Sequence, residues 1–143
     1  MPPWNVSPPG PRCCTSRTVR RSSAAGEPVS YGATWRADGP RRIATIAAGY
    51  ADGYRRSLSN RGVALVAGRE VPVAGRVTMD MTMLDVTGVP CAVGDVATLL
   101  GRDGQRVLTA DDVAERADVS PYELLAGLRL RVPHQYTSQP SGA

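Results

Sequence analysis

Short apolar runs separated by glycines and turn residues dominate the chain from Val29 onward. The runs at 43–49, 62–68, 70–79, 82–88 and 96–101 are rich in valine and regularly spaced, which is typical of strands in a sandwich or barrel. Gly68-Arg69 and Asp103-Gly104 lie between such runs and predict hairpin turns. The pattern therefore predicts a mainly β domain.

The C-terminal third changes to a helical pattern. Thr109 precedes "ADDVAERA", whose first turn is acidic, and Ser120 precedes "PYELLAGL" with proline at the first helical position. Each predicted helix has only about two turns, so tertiary packing must stabilise both. The segment 129–136 predicts a last strand.

Residues 1–28 differ in composition from the rest of the chain. They hold half of the 12 prolines, together with serine and arginine and few residues that could form a core. We expect a disordered tail over 1–28, a folded domain over 29–136 and a flexible tail over 137–143. An organelle transit peptide is a less favoured interpretation of the tail, after a non-native or truncated start.

The charge distribution argues against nucleic acid. Four of the 17 arginines lie in the tail beside one glutamate, whereas the remainder has 13 arginines against 12 acidic residues. A nearly neutral domain predicts no general phosphate-binding face, and no apolar run is long enough to cross a membrane. Three cysteines and one histidine predict neither a disulfide framework nor a zinc site, which favours a cytoplasmic setting. The chain contains no lysine.

The stretch "IATIAAGYADGYRR" (43–56) ends a predicted strand with unusual chemistry. Tyr50 lies between two glycines that would let the backbone turn sharply, and arginines follow. The ordinary interpretation is an amphipathic surface tyrosine. The alternative is a general acid–base group whose ionised form nearby arginines would favour.

The stretch "GRVTMDMTM" (75–83) is the second unusual one. Its methionines alternate, so on a strand they would face one side and fill the core, with Asp80 on the other side. A charged residue there needs a partner, and Arg76 is a candidate.

Several longer motifs together resemble the C-terminal domain of bacterial alanine racemase. They are "VSYGATW", "IATIAAGYADGYRRSLSNRG", "VAGRVTMDMTMLDVT", "VGDVATLLG", "TADDVAERADVSPYELLAGL" and "RVP", in the order of the family over 29–136. The resemblance implies a small Greek-key-like β-barrel with two short helices near the C-terminus. It also implies an enzyme that depends on pyridoxal phosphate, acts in a head-to-tail dimer and interconverts L- and D-alanine.

The resemblance also implies roles for particular residues. Tyr50 matches the tyrosine base that acts opposite a lysine of the N-terminal barrel domain. Met79 matches a residue that contacts the substrate carboxylate, Asp80 an acid at the entrance, and Arg76 a residue of the same channel. No residue of this chain matches the cofactor-anchoring lysine, and Leu130 stands where some members have a tyrosine that contacts the phosphate.

These departures leave three interpretations of the chain. The favoured one is the C-terminal part of an alanine racemase, inactive alone and completed by a barrel domain or full-length subunit. The second is a non-catalytic β module that binds or regulates a racemase. The third is a domain of a related racemase, such as one acting on serine.

Overall fold

Residues 12–128 and 131–134 are described by the computed structural model, and within them the chain forms nine strands and two helices. The strands are β1 (Arg12–Ser23), β2 (Pro28–Val29), β3 (Trp35–Arg36), β4 (Arg41–Ile46), β5 (Val63–Val66), β6 (Arg69–Pro72), β7 (Thr82–Asp85), β8 (Val96–Asp103) and β9 (Arg106–Leu108). The helices are α1 (Ala110–Ala117) and α2 (Pro121–Ala126). The predicted mainly β fold with two short C-terminal helices is therefore confirmed.

The main sheet curls into an incomplete barrel. Its strands are ordered β6-β5-β8-β1-β4-β7, with β9 paired to β8, and β2 and β3 form a separate ribbon. Val73, which follows β6, forms a bridge with Leu84 of β7, and the Ala74 amide donates to the Met83 carbonyl at 2.9 Å. The two edges of the sheet therefore meet, which protects backbone groups that an open edge would leave unpaired.

Strand β1 lies within residues 1–28, the segment whose composition predicts a disordered tail. Its first half pairs with β8, from Arg12 to Arg17, and its second half pairs with β4, from Thr18 to Ser23. Composition indicates only how many side chains can be buried. Backbone hydrogen bonds to two neighbouring strands hold this strand in place. Residues 1–11 and the predicted tail at 137–143 lie outside the described residues.

The predicted strand over 70–79 is wrong in its second half. Strand β6 ends at Pro72, β7 begins at Thr82, and the residues between them form a loop apart from the bridge at Val73. Gly75 adopts a φ of 85° and its amide donates to the Asn60 side chain at 2.7 Å, so the chain leaves the direction of the strand here. Arg131–His134, the described part of the predicted last strand, form no strand either.

Aliphatic side chains fill the interior between the sheet and the helices. The largest fully buried side chains include Ile46, Leu58, Leu65, Leu84 and Leu99. Helix α1 begins as predicted, because the Thr109 hydroxyl accepts from the Asp112 amide at 3.1 Å and Asp112 accepts in return from the Thr109 amide at 2.9 Å. The hydrogen bonds from Thr109 also lower the pKa of Asp112.

The described residues contain neither a membrane-spanning helix nor a cluster of metal-ligating side chains. None of the helices there has the length and apolar character needed to cross a bilayer. In the same residues, no three His, Cys, Asp or Glu side chains come together as a metal site.

Tyr54 is an uncommon member of the core and generates a prediction about alkaline stability. It is 4% exposed, and its hydroxyl has no hydrogen-bond partner among the described residues. Burial raises the pKa of Tyr54 above its ordinary value near 10. Above about pH 10 the unfolded chain loses this proton while the folded chain keeps it, so stability falls as pH rises, by about 1.4 kcal/mol per pH unit.

We expect Tyr54→Phe to remove this part of the alkaline loss and to change stability at pH 7 by less than about 1 kcal/mol, since no hydrogen bond is broken. Urea unfolding between pH 7 and 11 measures both effects. Tyr122→Phe is the matched control, because Tyr122 is 84% exposed. Equal alkaline slopes in all three proteins would contradict the prediction.

Candidate active site

The turn that carries Tyr50 follows directly from β4. Tyr50–Asp52 form one turn of 3-10 helix, and the Asp52 carboxylate closes it by accepting from the Gly49 amide at 2.9 Å. Gly53 ends the turn with a φ of 102°, a conformation that glycine adopts without strain. Asp52 and Gly53 thus each have a local role in forming this turn.

This turn docks on the loop that precedes β7. The Tyr50 amide donates to the Thr78 carbonyl and the Ala51 amide to the Met79 carbonyl, both at 3.0 Å. Gly49 permits the approach, since a Cβ placed there would lie 2.1 Å from the Thr78 carbonyl oxygen. The backbone of Gly49 is extended, so available space, and not conformation, requires glycine here.

The loop at 75–81 has its own internal hydrogen bonds. Thr78 donates through its amide to the Met81 carbonyl, and its hydroxyl accepts from the Met81 amide. This tight turn exposes Met79 and Met81, whereas Met83 packs beside a small buried cluster that contains Val29 and Ile43. The interpretation of the three methionines as one core-facing row is therefore wrong.

All four predicted site residues lie around one pocket. Its volume is about 390 Å³, which is within the range of small-molecule sites. The lining consists of Tyr31, Tyr50, Arg56, Arg76, Val77, Thr78, Met79, Asp80 and Met81. A second cavity, of about 350 Å³, shares Tyr31, Thr78 and Met81 with it.

Tyr31 is the more exposed of the two phenols at this pocket, and it is not among the site residues predicted from the motifs. It is 71% exposed, whereas Tyr50 is 45% exposed. Its neighbours Ser30 and Ala33 are non-glycine residues with positive φ values, and strained backbone of this kind is concentrated at functional sites. The Tyr-Gly pair in "VSYGATW" is the local signal that could have identified it.

Arg76 is held against the turn that carries Tyr31. The Ser30 hydroxyl donates to the Arg76 carbonyl at 2.6 Å, and a Cβ at Gly32 would lie 3.2 Å from the Arg76 guanidinium carbon. Arg56 lines the same pocket. The pocket thus combines two phenols with two permanent positive charges, a combination suited to an anionic ligand and to proton transfer.

Asp80 pairs with Arg131 and not with Arg76, its predicted partner. The Arg131 guanidinium donates to the Asp80 carboxylate, and its Nε lies 3.1 Å from Oδ1 of Asp52. The hydrogen bond to Asp80, followed by the charge of Asp52, raises the pKa of Arg131. Local sequence does not reveal a pair that is 51 residues apart.

Comparison with known proteins decides the family. The sequence model described as "Alanine racemase, C-terminal domain" matches residues 15–136. The chain belongs to the alanine racemase C-terminal domain family. The match begins inside β1, in agreement with the structure. Its first residue, 15, lies N-terminal to the predicted domain start at residue 29.

Relatives in this family are full-length racemases. The alanine racemase of Halothermothrix orenii is 46% identical over 118 residues, covering 82% of this chain and 31% of the relative. The crystal structure of the biosynthetic alanine racemase from Pseudomonas aeruginosa has a TM-score of 0.80 and 42% identity, over 87% of this chain and 34% of that one. The racemase from Bartonella henselae, with a TM-score of 0.80 and 30% identity over 86% of this chain and 34% of its own, was solved with covalently bound pyridoxal phosphate. The chain thus spans about a third of the racemases it matches.

The contact at Gly49 generates a prediction about the site. We expect Gly49→Ala to separate the Tyr50 turn from the loop at 75–81 and to destabilise the domain by about 2 kcal/mol or more, because its Cβ would meet a backbone carbonyl. Gly39→Ala is the matched control, since a Cβ there has no atom within 4 Å. Thermal unfolding of both variants measures the difference. A Gly49→Ala protein as stable as the control would show that the close contact is not required.

Proposed function

We propose that this chain is the C-terminal part of an alanine racemase, which interconverts L- and D-alanine, and that it contributes the acid–base tyrosine. The family assignment and the coverage of about a third of full-length racemases support this proposal. The single observation that carries it is the pocket that two phenols line together with Arg56 and Arg76. A barrel domain supplies the rest of the catalytic machinery.

The cofactor belongs to that other domain. Without a lysine, this chain has no side chain that could form an imine with pyridoxal phosphate. When bound, the cofactor acts as an electron sink that acidifies the substrate Cα–H bond. The pocket residues therefore fit a supporting role in catalysis. In this role a phenol transfers a proton on the face of the substrate opposite the barrel lysine.

Each predicted site residue has a place in this proposal. Arg76 stabilises negative charge on a neighbouring phenol, and Met79 contacts the substrate carboxylate. Asp80 lines the entrance and holds Arg131 by an ion pair. Arg56, which also lines the pocket, adds positive charge that attracts the amino acid's carboxylate.

Tyr31 and Tyr50 are both candidates for the base. The motif "GYADGY" predicts Tyr50, which stays one candidate. The structure favours Tyr31, because it is more exposed, follows strained backbone, and lies on the turn that packs on Arg76. We propose Tyr31 as the proton-transfer group, with Tyr50 beside it as a residue that shapes the pocket.

The exposed apolar side chains support docking of a second domain at this site. Tyr31, Tyr50, Met79 and Met81 are large, exposed and gathered around the pocket. Such a patch on the surface of a soluble domain commonly marks an interaction site. We propose that a barrel domain from a second subunit covers it in a cytoplasmic, head-to-tail dimer.

Complementation tests this function. We expect the chain alone to show no alanine racemisation, and activity to appear when it is mixed with the barrel-only fragment of an alanine racemase. Production of D-alanine from L-alanine is the measurement. A folded chain that binds the barrel fragment without activity would instead indicate the non-catalytic module, and activity on serine above alanine would indicate the related racemase.

Phenylalanine variants separate the two tyrosines in the same mixture. We expect Tyr31→Phe to lower kcat by about 10²–10⁴-fold, the usual contribution of a general acid–base group, and Tyr50→Phe by about tenfold or less. Tyr122→Phe, on the exposed face of α2, is the control and should retain full activity. The reverse order of the two losses would return the role of base to Tyr50.

A further inference from the structure

Arg131 joins the two loops that form the candidate site. Its Nε lies 3.1 Å from Oδ1 of Asp52, which belongs to the Tyr50 turn. The same guanidinium forms an ion pair and a hydrogen bond with Asp80, which belongs to the loop at 75–81. One cation therefore contacts a carboxylate on each side of the contact between the turn and the loop.

The positive charge of Arg131 compensates the buried carboxylate of Asp52. Its carboxylate is 1% exposed, and only Oδ2 receives an aligned hydrogen bond within the described part of the chain, from the Gly49 amide. A buried carboxylate with half of its oxygens unsatisfied is costly unless a positive charge balances it. The planar fork of an arginine can serve two carboxylates at once, which a lysine ammonium does with less geometric definition.

We propose that Arg131 is a positioning residue that holds the Tyr50 turn against the loop carrying Met79 and Asp80. Its two ion pairs act in parallel with the two backbone hydrogen bonds from Tyr50 and Ala51 to Thr78 and Met79. Among the described residues, loss of the guanidinium leaves the buried Asp52 without an ion-pair partner, which makes separation of the loops more favourable. The proposal concerns the geometry of this pocket and rests on the proposed function only for its consequence in catalysis.

Amide hydrogen exchange on the full chain tests the proposal without a barrel domain. We expect Arg131→Gln to accelerate exchange of the Tyr50 and Ala51 amides by about tenfold, because these donors are released when the turn and loop separate. Amides of the central strands, such as that of Val66 in β5, should exchange at the wild-type rate. Arg131→Lys should restore part of the protection, since it keeps the charge and loses the fork.

Two further variants define the control and the second test. Arg116→Gln removes an exposed ion pair between helix α1 and Glu70 of β6, and it should leave exchange of the Tyr50 and Ala51 amides unchanged. Asp80→Asn removes one of the two pairs at an exposed carboxylate, so it should fold and reproduce a smaller acceleration even if Arg131→Gln does not. Unchanged exchange at Tyr50 and Ala51 in the folded variants overturns the proposal. Equal acceleration throughout the core also overturns it, since that outcome indicates a general effect on stability.

The racemase activity of the Arg131 variants mixed with the barrel fragment is an independent test. We expect Arg131→Gln to raise KM for alanine and to lower kcat, as a pocket with one mobile wall would, and Arg131→Lys to be intermediate. A barrel mixture that is inactive even with the wild-type chain would count against the proposed function. The exchange result would still decide the role of Arg131.

Discussion

The candidate site depends on the close contact of two backbone segments at Gly49. Because no side chain separates them, the Tyr50 and Ala51 amides reach the carbonyls of Thr78 and Met79 directly. Main-chain hydrogen bonds have fixed geometry, so they set the direction in which the phenol leaves the turn more firmly than side-chain packing would. The loop with Met79 and Asp80 is placed by the same contact.

The pairing of β4 with β7 places these two segments side by side. Strands β4 and β7 are antiparallel neighbours in which Ile46 pairs with Thr82, so the chain leaving β4 and the chain entering β7 lie at the same end of the sheet. The Thr82 hydroxyl donates to the Ala48 carbonyl at 2.7 Å and extends this pairing toward the site. Strand β4 in turn is held by β1, which connects it to β8.

Local patterns predicted the elements whose stability is local. The caps at Thr109 and Ser120 are examples, because each depends on neighbours within a few residues. The motif resemblance also predicted four residues that the structure brings to one pocket. Strand β1 was missed because its pairing to β4 and β8 is not encoded in apolar side chains. The Asp80–Arg131 pair was missed because 51 residues separate the two side chains.

The exposure of the pocket has a consequence for how such a domain would work. Charges near a phenol in water are strongly screened, so Arg56 and Arg76 have a limited effect on the open pocket. If a second domain covers the site, water is excluded and the same guanidinium groups stabilise a phenolate far more strongly. The domain would therefore hold the required charges in place in advance, and the electrostatic effect would develop only on assembly. In that case the acid–base function belongs to the interface between the two domains, although the phenols and arginines are residues of this chain.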